Sequence, residues 1–163
     1  MEFYKASVGS IINLLFYAGR THIPNTNVAE NGKTLHYKLG FTESEKYCRY
    51  IPLDDIINVN GYLRLCGSPD RISLEDKLYV DELKTTYSSN KEFAYSVGYA
   101  QLQLYMMITG IHDGRVYVYL KDKNTLEYRV FQYDENVAKE LIREYLNFVI
   151  RQKQIVKGIR STQ

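Results

Sequence analysis

The stretch from Gly61 to Thr86 constrains the fold of this chain more than any other. It reads as three strands in series, GYLRLCG, DRISL and KLYVDELKTT, and the turn LEDK separates the last two. Apolar and polar residues alternate in YLRLCG, which is the period of a half-buried strand. Three strands joined by short turns predict a sheet in the middle of the chain.

Helices and two more strands surround this stretch. SVGSIINLLFYAGR predicts a first helix capped by Ser7, and NTNVAENGKTLHYKLGFTESEKY predicts a second, while PLDDIINV reads as a short helical turn. NKEFAYSVGYAQLQLYMMITG is the clearest helix, with Gly110 at the position of a C-cap glycine. The strands GRVYVYLKD and TLEYRVFQY and a long helix capped by Asp134 follow. This order predicts a mixed α/β or α+β domain.

Apolar residues recur at helical spacing in the last two helices. Such stripes predict the faces that pack on the core. The residues are Phe93, Val97, Ala100, Leu104 and Met107 on one helix, and Ala138, Leu141, Tyr145 and Phe148 on the other.

Length and composition are those of a globular protein. The chain has 163 residues, of which 45% are hydrophobic and 25% charged, and this is enough to bury a core without staples. The net charge of +2 excludes a histone-like polycation. We therefore expect a single domain over residues 1–163.

Cys48 and Cys66 are the two cysteines of the chain. Without a Cys-x-x-Cys pair they are too few for a structural zinc or iron–sulfur site. They fit a reducing cytoplasm, and one disulfide between them stays open as an alternative. The N-terminal MEFYKASVGS lacks the apolar stretch of a signal peptide, and no apolar run reaches transmembrane length. We expect a cytoplasmic protein that has no membrane partner.

The strand KLYVDELKTT ends in charged residues, which buried strands usually avoid. Glu82 and Lys84 are two residues apart, so they project from the same face. A carboxylate beside an ammonium group can hold a divalent metal and direct a water molecule. The same spacing recurs at Glu75 and Lys77 in a predicted turn, so the triplet alone does not distinguish a site from an exposed ion pair.

Asp70 follows Pro69 at the start of the preceding strand. A hairpin of the two strands can bring Asp70 beside Glu82, where two carboxylates repel each other unless a cation lies between them. Magnesium favours carboxylate and water ligands. The alternative is that Asp70 only caps a turn after the proline.

Two weaker signals lie on predicted helices. His36 occurs in NGKTLHYKLG, and a lone helical histidine is usually a surface residue or a satisfied core residue. Ala94, Gly98, Gln101 and Tyr105 share a second face of the clearest helix. Two small residues followed by two polar ones suit a face pressed toward a ligand, although a partly exposed helix face explains them equally well.

Taken in order, four short motifs resemble the PD-(D/E)xK nuclease superfamily. GSPD ends at Asp70, ELK begins at Glu82, and QLQLY runs from Gln101 to Tyr105 on the following helix. Upstream, GKTLH ends at His36 and narrows the resemblance to the RecB-like branch, which includes CRISPR-associated exonucleases. The resemblance implies an α/β fold with a restriction-endonuclease-like core, in which a central mixed sheet of about five strands is flanked by helices.

The resemblance also implies a metal site. His36, Asp70 and Glu82 would bind Mg²⁺ or Mn²⁺, and the backbone carbonyl of Leu83 would add another oxygen. Phosphodiester hydrolysis develops negative charge on the phosphate oxygens, which a metal ion and a lysine stabilise.

Roles follow for the other motif residues by the same resemblance. Lys84 would orient or activate the attacking water, so that Asp70, Glu82 and Lys84 are the expected catalytic residues. Gln101 and Tyr105 would bind and position the substrate strand near the site.

The expected activity is that of a metal-dependent DNA nuclease. It would act on DNA ends or on single strands, as an exonuclease does. Its partner would be single-stranded DNA or duplex ends, and a homo-oligomer stays open. Many CRISPR-associated members carry four cysteines that bind an iron–sulfur cluster, and this chain lacks them, so we expect no such cluster and no function that depends on it. The alternatives are a non-cleaving DNA-binding module, a Holliday-junction resolvase on a related fold, and an interaction protein in which these polar residues are caps and ion pairs.

Overall fold

The structure is a computed structural model, and it describes residues 1–17, 35–41 and 45–161. A helical turn covers residues 35–38, and a 3₁₀ turn covers Ser88–Asn90. The helices are α1 (Val8–Tyr17), α2 (Asp54–Ile57), α3 (Lys91–Thr109) and α4 (Glu135–Ser161). The strands are β1 (Glu2–Ser7), β2 (Tyr47–Pro52), β3 (Gly61–Gly67), β4 (Arg71–Leu74), β5 (Leu78–Thr86), β6 (Asp113–Leu120) and β7 (Thr125–Gln132).

The strands form two sheets. The order in the first is β1-β3-β2, with β1 parallel and β2 antiparallel to β3. The order in the second is β4-β5-β6-β7, in which β5 and β6 are parallel and the outer pairs are antiparallel. Helix α3 packs against β5 and β6 and also contacts α1 and α4. The α/β class is therefore confirmed, with mixed sheets flanked by helices.

The strand count is higher than predicted, because the described residues contain seven strands instead of about five. The two that the sequence analysis missed, β1 and β2, are the outer strands of the first sheet, and most of their side chains are exposed or half-buried. Neither therefore has a clear alternation of apolar and polar residues, which is the signal that sequence analysis uses. Both strands exist because they pair with β3.

The first helix begins as predicted. The Ser10 amide donates to the Ser7 hydroxyl oxygen over 3.0 Å, and the Ser7 amide donates to the Ser10 hydroxyl oxygen over 3.0 Å. This reciprocal bonding satisfies amides that would lack partners at the helix start. The predicted continuation over residues 18–20 lies outside the described residues.

The second predicted helix is borne out only at residues 35–38. The sequence left the ends of this helix open, and Tyr47 at the end of the stretch is the first residue of β2, where it pairs with Gly67 of β3. Residues 25–34 and 42–44 lie outside the described residues.

Helix α3 ends as predicted. Gly110 has φ 75°, a left-handed conformation that glycine adopts without strain, and its amide donates to the carbonyl of Met106 over 3.0 Å. Val97, Leu104 and most of the predicted stripe are buried. Phe93 is the exception at 41% exposure, because it lies in the first turn, where its ring meets the edge of Tyr17.

Helix α4 is capped by Asp134, whose carboxylate accepts the amide of Asn136 over 3.0 Å. Its buried face differs from the predicted stripe by about one residue. Ala138 is buried as predicted, but the stripe continues through Ile142 and Leu146, and Phe148 is 43% exposed. The sequence contains apolar residues on both sides of this line, so only packing on the other helices selects the buried face.

Cys48 and Cys66 lie directly opposite each other on β2 and β3 and form a disulfide, with their Cα atoms 4.1 Å apart. The structure thus selects the alternative that the sequence left open. Among the described residues, no helix is long and apolar enough to cross a membrane.

Candidate active site

The hairpin of β4 and β5 brings Asp70 and Glu82 together. Arg71 pairs with Asp81, so Asp70 stands beside Glu82 just beyond the ladder. The Asp70 amide donates to the Glu82 carboxylate over 3.3 Å, and the Leu83 amide donates to the Asp70 carboxylate over 2.8 Å. Asp70 is therefore held against β5 by hydrogen bonds from its own backbone and from Leu83.

Glu82 is buried, with 2% of its surface exposed. Burial, followed by the nearby charge of Asp70, raises the pKa of Glu82 well above its usual value, while Lys84 acts in the opposite direction. Two carboxylates held this close repel each other, and a divalent cation would relieve the repulsion.

His36 approaches the same place from the helical turn at 35–38. Its Nδ1 atom lies 3.9 Å from Oδ1 of Asp70, and both side chains are partly exposed, at 30% and 25%. Residue 36 is distant in sequence from residues 70 and 82, and the tertiary structure brings His36 to the end of the β4–β5 hairpin where Asp70 lies.

Lys84 lies on the same face of β5 as Glu82, as the strand period predicts. The stem of Lys84 passes Gly98 of α3, since a Cβ atom at Gly98 would lie 3.5 Å from its Cγ. Leu83, between the two, is buried, and its amide binds Asp70. A ligand role for the Leu83 carbonyl stays a prediction.

The donor set fits a hard divalent cation, because it combines two carboxylates with an imidazole. No three His, Cys, Asp or Glu side chains of the described residues lie close enough together to hold one ion. Asp70 and Glu82 each accept a hydrogen bond from a backbone amide in this arrangement. Coordination of one ion by all three side chains would therefore require these groups to move.

Tyr105 projects from α3 toward this region, and Gln101 lies one turn earlier on the same face of the helix. Tyr105 is 7% exposed, and its ring packs beneath the GSPD turn so closely that a Cβ atom at Gly67 would lie 2.8 Å from Cε1. Burial, then the charges of Glu82 and Asp70, raise the pKa of Tyr105. Gln101 is half-buried, and its Oε1 atom is buried with no hydrogen-bond partner among the described residues.

A basic cavity that sequence reasoning missed lies near this site. It has a volume of about 460 Å³, and Lys5, Lys46, Arg64 and Ser68 are among its lining residues. Ser68 is two residues before Asp70, so the cavity adjoins the turn that carries the acid. The cations come from β1, from the segment before β2 and from β3, and no sequence pattern links them.

Comparison with known proteins shows the fold of this chain but does not assign the chain to a family. No family model matches this sequence, and no curated protein matches it. The protein SSO0001, whose crystal structure is known, is similar with a TM-score of 0.65 and 18% identity, over 91% of this chain and 77% of that one.

Two exonucleases of known structure are also similar. The alkaline exonuclease LHK-Exo from Laribacter hongkongensis gives a TM-score of 0.50 and 15% identity, over 97% of this chain and 92% of that one. A phage-related exonuclease from Haemophilus somnus gives 0.40 and 10%, over 90% and 82%, which is too distant to carry an argument. At these identities the likeness establishes the fold alone: this chain has an α/β fold that it shares with an alkaline exonuclease.

Proposed function

We propose that this chain is a metal-dependent nuclease that hydrolyses phosphodiester bonds in DNA. The observation that carries the proposal is the contact of Asp70 with Glu82 at one end of a hairpin, with His36 at 3.9 Å from Asp70 and Lys84 on the same face as Glu82. If these residues were only the caps and ion pairs of an interaction protein, their proximity would have no explanation.

The residue types suit the chemistry. Asp70, Glu82 and His36 would hold Mg²⁺ or Mn²⁺, and the Leu83 carbonyl is a further candidate ligand. The ion would stabilise the charge that develops on the phosphate. The Lys84 ammonium group orients the attacking water and stabilises the same charge from the protein side. Gln101, whose buried carbonyl oxygen lacks a partner in the described chain, positions the substrate, and Tyr105 supports the GSPD turn from below.

The basic cavity supports a nucleic acid as substrate. Lys5, Lys46 and Arg64 place three cationic groups around one cavity beside the Asp70 turn. Cationic side chains bind backbone phosphates and fix the register of a nucleic acid without reading its sequence. A strand whose phosphate occupies this cavity would pass close to Asp70 and Glu82.

The finer assignment combines the fold with the sequence motifs. We assign the chain to the RecB-like branch of the PD-(D/E)xK nucleases, without an iron–sulfur cluster, as a single nuclease domain over residues 1–163. The likeness to an alkaline exonuclease favours cleavage from single-stranded or duplex ends. The proposed setting is the cytoplasm, although a disulfide such as Cys48–Cys66 is more typical of an oxidising compartment.

A cleavage assay tests the proposal. Single-stranded, duplex and branched DNA would be incubated with the protein in Mg²⁺, Mn²⁺ or chelator, beside Asp70→Ala as the matched inactive variant. We expect cleavage of ends or single strands with metal, and none with chelator or with Asp70→Ala. Preferential cleavage of branched DNA would instead indicate a junction resolvase. DNA binding without cleavage in either metal would indicate a binding module and contradict the proposal.

A further inference from the structure

Asp81, the acid next to Glu82, has no part in the proposed reaction. Neighbouring residues of a strand project to opposite faces, so Asp81 points away from Glu82. It is completely buried. Its carboxylate accepts hydrogen bonds from Nε of Arg115 over 2.8 Å, from Nε of Arg71 over 2.9 Å and from the hydroxyl of Ser73 over 2.6 Å.

The strand register explains why these charges meet. Arg71, Asp81 and Arg115 lie directly opposite one another on β4, β5 and β6. Glu75 adds a second carboxylate, at 2.8 Å from Nη1 of Arg115. Two guanidinium groups and two carboxylates thus balance in charge around the buried Asp81 and Arg115, while Glu75 is exposed at 55%. The Arg71 side chain is fixed in direction as a result.

Arg71 contacts the aromatic ring of Phe41, which comes from a different part of the chain. Its guanidinium carbon lies 4.0 Å from the centre of the Phe41 ring, which is the geometry of a cation–π contact. Phe41 is 4% exposed, and its ring also meets the edge of Tyr117 at 5.3 Å between centres. Residues 35–41 are therefore anchored to the four-stranded sheet at Phe41.

Phe41 in turn is tied to His36. The Phe41 amide donates to the His36 carbonyl over 2.8 Å, and the two rings lie 6.4 Å apart. His36 reaches Asp70 at 3.9 Å. Asp70 and Arg71 are consecutive residues. Residues 35–41 therefore contact the β4–β5 hairpin at two neighbouring positions, through Phe41 at Arg71 and through His36 at Asp70.

We propose that Asp81, Arg71 and Phe41 form a positioning unit that docks residues 35–41 on the sheet and so brings His36 to Asp70 and Glu82. The inference rests on the proposed function, because it explains how the third ligand reaches the metal site. Side chains that orient a metal ligand commonly contribute about 10- to 100-fold to metal affinity.

Mn²⁺ affinity, measured by calorimetry, tests the unit through a double-mutant cycle. Phe41→Leu keeps an apolar side chain but removes the ring, and it should weaken Mn²⁺ binding by about 10- to 100-fold. In a His36→Gln background the same change should have almost no further effect, because the residue that it positions is gone. Phe131→Ala, which removes a ring packed on Tyr99 elsewhere on the sheet, is the control and should bind Mn²⁺ like the wild type. An equal effect of Phe41→Leu in both backgrounds would overturn the proposal.

A metal-free measurement separates this proposal from the proposed function. In the wild type, nuclear Overhauser contacts should join the Phe41 ring to the Tyr117 ring on β6, because this pair reports the docking of residues 35–41 on the sheet. Arg71→Ala should abolish them, whereas Arg71→Lys, which keeps a cation over the ring, should restore them. Contacts that persist in Arg71→Ala would overturn the positioning unit. Equal Mn²⁺ affinity of the wild type and Asp70→Ala would overturn the metal site instead, and the contacts between Phe41 and Tyr117 would still decide whether residues 35–41 are docked.

Discussion

At the scale of single residues, the side chain of Glu82 is buried, and burial makes the ionisation of its carboxyl group unfavourable. Burial and the charge of Asp70 raise its pKa above the ordinary value of 4.5 that the unfolded chain would show. The folded protein therefore holds the Glu82 proton to higher pH than the unfolded chain does. Its contribution to stability is complete below about pH 4.5 and is lost as the pH rises through the folded pKa.

This residue gives a prediction for metal-free protein. Glu82→Gln should raise the melting temperature at pH 8, because the variant has no carboxylate to ionise, and the gain should shrink toward pH 4.5. Each kcal/mol corresponds to about 2–4 °C for a domain of this size. Thermal melts in chelator across this pH range measure the effect, with the exposed Glu144→Gln as control. Identical melts for wild type and Glu82→Gln at every pH would contradict the role given to burial.

Lys84 separates chemistry from binding. Lys84→Ala removes the ammonium group but no proposed metal ligand, so the cleavage rate should fall by about 100-fold or more, as when one electrostatic stabiliser is lost. DNA affinity should change far less. Single-turnover cleavage rates and DNA affinity would be measured on the same variants. Lys77→Ala is the control, because Lys77 belongs to the other acid-x-Lys triplet and pairs with Asp113 away from the site. Comparable losses in rate and affinity would make Lys84 a phosphate anchor.

At the scale of elements, the contact between α3 and the four-stranded sheet supports the site. Gly98 allows this contact, because a Cβ atom there would lie 2.5 Å from Cγ1 of Val116 on β6. Val116 is fully buried and cannot move aside easily. The helix therefore approaches β5 and β6 closely at the level of Lys84.

Gly98→Ala should accordingly destabilise the protein. Overpacking of this kind costs about 1–3 kcal/mol. Gly158→Ala on α4 is the matched control, since a Cβ atom there meets no atom of the described chain within 4 Å, and it should stabilise the helix by up to about 1 kcal/mol. Urea denaturation of both variants measures the difference, and a Gly98→Ala protein as stable as the wild type would mean that the helix is not held against Val116.

At the scale of the whole molecule, the disulfide ties the outer strand β2 to β3, which continues into the GSPD turn. The bond closes a loop with a sequence separation of 18 residues. A loop of this length is expected to contribute about 3 kcal/mol by limiting the unfolded chain.

Cys48→Ser should therefore lower the melting temperature of oxidised protein and leave that of reduced protein nearly unchanged. Melts with and without a thiol reductant measure this, and the exposed Ser96→Ala outside the sheet serves as control. Equal melting temperatures for oxidised wild type and Cys48→Ser would show that the bond does not form or does not stabilise the fold.

The sequence by itself determined the elements that local chemistry specifies. The strands from β3 to β7 and the helices α3 and α4 were predictable because their periods, turn residues and caps, such as Asp134 and Gly110, act between neighbours in the chain. The proximity of Asp70 and Glu82 was predictable for the same reason, since a short hairpin joins them.

Only the tertiary structure decided what depends on distant pairing. The strand β1 exists through its parallel partner β3, and packing on other helices selects the buried face of α4. His36 lies near Asp70, Phe41 contacts Arg71, and Arg71 pairs with Asp81 only in the folded chain. Such contacts join residues far apart in sequence, and their energies come from burial and charge pairing, which no local pattern records.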